Sequence, residues 1–131
     1  MIYLSDIRDW LKGFNIAEHY YVDKLDSKQD KSLGVYQRQN PAPPVRAIGQ
    51  KSSYEIKPIS LLLHWNKNAT ETEKTAYELY KQLRAVSSLQ INGTHIYILS
   101  LLQSEPVDVG SDDNGVYERV IEFDLYYERN D

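Results

Sequence analysis

Apolar residues recur at helical spacing at Ile7, Trp10, Leu11 and Phe14, with Ser5 placed as a cap and Gly13 as a left-handed stop. A short amphipathic first helix is expected there. His19 to Leu25 reads as a strand, the polar stretch Asp26 to Lys31 as a turn, and Ser32 to Gln37 as a second strand, together suggesting a hairpin. Tyr54 to Asn66 predicts a longer strand that becomes continuously apolar at Leu61 to Leu63, as burial on both faces or the centre of a sheet requires. Pro58 removes a ladder donor and so predicts a bulge or an edge entry.

The clearest helix follows. Thr70 and Glu73 have capping-box spacing, and Ala76, Tyr77, Tyr80, Leu83 and Ala85 to Val86 form one apolar side. Asn92-Gly93 between Leu89 to Ile91 and Thr94 to Leu102 signals a hairpin, because both residues tolerate the positive φ of a type I′ turn. Ser104 to Gly115 is rich in turn residues. In the last stretch Tyr117, Ile121, Phe123, Leu125 and Tyr127 alternate with Glu118, Glu122, Asp124 and Tyr126, giving a half-buried strand with one acidic face. The order is helix, three strands, helix, three strands. It predicts a single α+β domain over 1–131, with a mostly antiparallel sheet of about five to six strands and both helices packed on one face.

Between the second and third strands, Arg38 to Ser53 has no acidic residue and contains Pro41, Pro43 and Pro44. Such a segment cannot lie inside a sheet, and long loops of this kind are usually functional or disordered. An interaction loop is expected, with Arg38, Arg46 and Lys51 docking a partner.

Composition narrows the function classes. The 131 residues are 41% hydrophobic and contain no cysteine, which removes disulfide frameworks, thiolate metal sites and cysteine nucleophiles. No apolar run approaches the roughly 18 residues of a membrane helix, and no secretory pattern opens the chain, so a soluble intracellular domain is expected. The net charge of -4 is unevenly spread: residues 105–131 hold nine acidic and two basic side chains, whereas residues 1–104 carry a small positive excess. That balance argues against high-affinity nucleic-acid binding, which needs clustered Lys and Arg.

Candidate chemistry is sparse. His19, His64 and His95 lack metal-ligand spacing, and neither a phosphate-binding glycine loop nor a nucleophile elbow occurs. Asp112-Asp113-Asn114-Gly115 fails as a calcium loop, since a glycine would occupy the first ligand position; it reads as a turn. The two N-x-T sequons at Asn68 and Asn92 read as a helix cap and a hairpin turn. Eleven tyrosines against two phenylalanines fit either an interface or a thin sheet with a wetted outer face.

Several stretches together carry a resemblance: KSLGVYQR (Lys31 to Arg38), SYEIKPISLLLHWNKN (Ser53 to Asn68), TETEKTAYELYKQLR (Thr70 to Arg84) and EPVDVGSDDNGVYERVIEFDLYYER (Glu105 to Arg129). The chain resembles the small minor capsid proteins of tailed bacteriophages and prophages of Gram-positive bacteria. In size and element order it is similar to tail terminator and head-tail joining proteins, α+β domains that assemble as rings. The resemblance implies a virion protein, present in the host cytoplasm during assembly, with no catalytic residues, cofactor or metal. It implies self-association into a ring, six copies for tail terminators, with the tail tube protein and a head-tail connector as partners. Genome DNA would pass through the bore without sequence-specific binding. On that reading Asp112, Asp113, Glu118, Glu122 and Asp124 line the bore or an interface, and no membrane is involved. Two other classes remain open from residues alone. One is a monomeric binding module that adds a partner strand to an open sheet edge at Tyr54 to Asn66. The other is a small hydrolase or lyase using His64 or His95 with a carboxylate.

Overall fold

The structure, a computed structural model, describes residues 1–39 and 54–129. Two helices and seven strands run through the described residues in the order α1 (Leu4–Lys12), β1 (His19–Val22), β2 (Ser32–Gln37), β3 (Tyr54–His64), α2 (Ala69–Arg84), β4 (Leu89–Ile91), β5 (Thr94–Leu101), β6 (Val107–Ser111) and β7 (Tyr117–Glu128). The strands form one mixed sheet in the order β1-β2-β3-β7-β5-β4, with β6 also on β7. The α+β class stands. The sheet is mostly antiparallel as expected, with β1–β2 the parallel pairing among the described residues, and it has seven strands where five to six were expected.

The helix ends correct three local expectations. In α1 the N-cap is Tyr3, whose amide donates to Asp6 Oδ2 at 2.9 Å, so Ser5 lies inside the helix. Gly13 ends α1 in right-handed geometry at φ -66°, and the left-handed residue is Asn15 at φ 60°. Thr70 lies inside α2, and the cap is Asn68, as the reading of its sequon expects: its side-chain oxygen accepts the Glu71 amide at 3.0 Å and answers one of the orphan donors of the first turn. The Asn92-Gly93 turn takes the expected form, with φ 49° and 79° and Ile91 facing Thr94.

Larger corrections concern the sheet. β1 and β2 are parallel, with His19 beside Ser32, and no hairpin forms. Asp23 and Lys31, both at positive φ, turn the intervening loop back to the start of β1, where the Glu18 amide donates to the Lys31 carbonyl at 2.9 Å. β3 is central: β2 pairs one edge and β7 the other, the latter without a register shift from Tyr54 to His64. The edge needed for strand addition at Tyr54 to Asn66 is therefore occupied. Pro58 is tolerated because its carbonyl accepts the Arg38 amide at 3.2 Å, which turns its missing donor toward the end of β2 and away from β7. Inside the supposed turn segment, β6 continues the line of β5 along the free edge of β7, interrupted by a register shift between Asp108 and Ser111.

Period two then divides the sheet. Ile59, Leu61 and Leu63 of β3 and Ile121, Phe123 and Leu125 of β7 face inward with Leu33 and Val35 of β2, and meet Ile7 and Leu11 of α1 and Ala76, Leu79 and Leu83 of α2. Burial of each large apolar side chain contributes roughly 1.5–3 kcal/mol. α1 touches β1, β2 and also β4 at the far end of the strand order, so the sheet curls around it. Asn92 Nδ2 donates to Asp6 Oδ1 across that closure at 3.2 Å.

Candidate functional site

With both helices inside, the outer face of β2, β3 and β7 is left without helical cover, and the register lays its side chains out in cross-strand rows. Ser32, His64 and Glu118 form the first row, and Gly34, Leu62 and Val120 the second. Tyr36, Ser60 and Glu122 form the third. The fourth brings Arg38 and Asp124 to either side of Pro58. Beyond it Tyr126 stacks on Tyr54 with ring centroids 5.9 Å apart.

The acidic residues of this face are half-buried and engaged within the chain. Arg38 Nη2 lies 2.8 Å from Asp124 Oδ1, with about a fifth of each side chain exposed. Glu122 Oε1 accepts Gln103 Nε2 at 2.9 Å. Glu118 Oε2 lies 2.9 Å from His64 Nδ1, while His64 Nε2 faces the Ser27 carbonyl at 3.1 Å. Asp113 is exposed. Asp112 organises its turn: Oδ1 accepts the Asn114 and Val116 amides at 2.9 and 3.0 Å, and these amides, with His64 and Lys67 nearby, hold its carboxyl below the usual carboxylate range. Arg46 and Lys51 lie outside the described residues.

The loop between β1 and β2 covers one end of the face. Leu25 and the ring of Tyr36 fill the space where a side chain on Gly34 would project: a Cβ there would stand 2.7 Å from Tyr36 Cε2. Burial, then Asp23 and Glu118, push the Tyr36 hydroxyl above its ordinary range. At the other margin, β5 and β6 expose Ile98 and Val109, at 55% and 49%.

His64 and His95 do not converge. His64 is 1% exposed and both of its ring nitrogens are occupied. The His95 amide donates to Glu128 Oε1, and Glu128 stands ten residues from Glu118 along β7, about 33 Å at the rise of a strand. No group of three or more His, Cys, Asp or Glu able to hold a metal ion occurs among the described residues, and no helix there is long and apolar enough to cross a membrane.

Sequence alternation placed Glu118, Glu122 and Asp124 on one face. Their partners were missed, because His64 and Gln103 are joined to them only through the β3–β7 register and the β5–β6 connection.

A model of the family described as bacteriophage tail terminator protein matches residues 4–129. The gp17 protein of bacteriophage SPP1, in a solved structure, is 8% identical, with 97% of this chain and 85% of that one covered and a TM-score of 0.43. A second solved structure is 13% identical, covers 97% of this chain and 89% of its own, and has a TM-score of 0.44. No curated protein matches.

Proposed function

Because the chain belongs to the bacteriophage tail terminator family, and so is a structural protein of a phage, we propose that it closes into a ring at the head-tail junction. One surface of the ring caps the last layer of tail tube protein and ends tube growth. The other meets the connector beneath the head, and the genome passes through the bore. Each subunit offers two unlike surfaces to its neighbours, in a heterologous contact that closes after a fixed number of copies, six on the family's implied pattern. The work is non-covalent and takes place in the virion, after assembly in the host cytoplasm.

The observation that carries this reading is the family match from residue 4 to 129, nearly the whole chain. The uncovered outer face and the acidic rim next to it, the turn at Asp112 and Asp113, are the surfaces offered to the bore or to a neighbour. Asp113 and Glu122 have no cation beside them in the interactions described above, whereas Asp124 and Glu118 are held by Arg38 and His64. An acidic lining suits DNA transit, since phosphates are repelled and do not adhere. Arg46 and Lys51, with Arg38 at the root of their segment, are assigned to docking a neighbour.

Adding the purified chain to growing tubes of the tail tube protein tests the reading. Tubes should stop growing with this chain at one end, and light scattering with tube fragments should give a several-fold multiple of 15.2 kDa. Tubes that continue to grow beside a chain that stays at one copy would overturn it.

A further inference from the structure

We propose that His64 carries both ring protons in the folded chain and that this imidazolium is a latch, closing the β1–β2 loop over one end of the outer face and releasing it as the pH is raised. The geometry requires two donors. Nδ1 faces a carboxylate oxygen of Glu118 at 2.9 Å and Nε2 faces the Ser27 carbonyl at 3.1 Å, and a carbonyl oxygen can only accept. A ring with one proton has one donor, so its bare nitrogen would set a lone pair against an oxygen in a site with almost no water, since the residue is 1% exposed.

A neutral ring beside a protonated Glu118 would hold the same number of protons. Asp112 decides between the two arrangements. Its Oδ2 lies 3.8 Å from His64 Nδ1, and the turn amides that bind its other oxygen keep it ionised, so a second negative charge faces the ring. From β2, Tyr36 faces the same region with its hydroxyl held protonated by burial and by Asp23 and Glu118. Lys67 is the cation that acts on Asp112 from nearby.

The latch ties the loop, through Ser27, to two strands already paired with each other, β3 through His64 and the start of β7 through Glu118. Loss of one ring proton removes the bond to Ser27 or the bond to Glu118. The loop that places Leu25 above Gly34 then loses a charge-assisted anchor. The inference stands on the geometry of one chain and does not depend on ring formation.

Long-range 1H–15N correlation of the imidazole at neutral pH should show both His64 nitrogens in the protonated class; one protonated and one bare nitrogen would overturn the proposal. Amide exchange of residues 24–30, corrected for intrinsic base catalysis, should lose protection about tenfold as the ring is titrated, the equilibrium factor of one charge-assisted hydrogen bond. In Glu118→Gln, which removes the counter-charge but keeps an acceptor, that loss should come at lower pH. Protection that ignores pH, or a midpoint unmoved in Glu118→Gln, would equally overturn it.

Discussion

The two faces of β7 alternate residue by residue, yet different forces specify them. Inward, Ile121, Phe123 and Leu125 are held by volume, because each fills space shared by β3 and the two helices. Outward, Glu118, Glu122 and Asp124 are held by pairing, each against a polar partner from another element. A face held by volume tolerates little change in size, whereas a face held by pairing can change its surface charge while the fold persists. That is the property a surface for assembly needs.

The sharpest test of this contrast is Phe123→Ala. Deleting a wholly buried ring should destabilise the chain by about 3–5 kcal/mol, read as a lower urea midpoint. Gly34→Ala is the exception on the outer face, since the added methyl meets the ring of Tyr36; a loss of roughly 1–3 kcal/mol is expected. Most of that loss should disappear when the same change is made on a Tyr36→Ala background, and a fully additive double variant would show that the ring is not the obstacle. Arg38→Ala should cost about 1 kcal/mol, because its ion pair with Asp124 is only partly shielded from solvent. Chemical denaturation that returned a loss as large as that of Phe123→Ala would erase the distinction between the faces.

The smallest effect concerns pH. The carboxyl of Asp112 is depressed in the folded chain, so its contribution is fully present above the unfolded carboxylate range and is lost as pH falls through the lower, folded value. The thermal midpoint of the native chain should therefore fall on acidification more than that of Asp112→Asn. Parallel pH profiles for the two would contradict the turn's dependence on ionised Asp112.

Much of this architecture was legible where local pattern and tertiary environment agree. β7 betrays itself by strict alternation, and Asn92-Gly93 by a backbone requirement that few residue pairs meet. Where partners decide, the pattern is silent. β6 is exposed at all five residues, so no apolar rhythm marks it, and it is a strand only because β7 offers a free edge. Pro58 suggested an edge, yet it sits in a central strand because its missing donor falls where β2 ends. The polar loop after β1 looks like a hairpin turn until two residues at positive φ carry it back to a parallel start. For the candidate site, the row of carboxylates was visible in advance. The imidazole and guanidinium that hold two of them were not, because those contacts exist only once the strands are in register.

Cryo-electron microscopy of the assembled particle, focused on the head-tail junction, tests the central claim most directly. A closed ring of this chain between the last tube layer and the connector, with the acidic rim and outer face turned to the bore or to neighbouring copies, is the expected result. A junction that lacks this chain, or holds it as isolated single copies, would contradict the account.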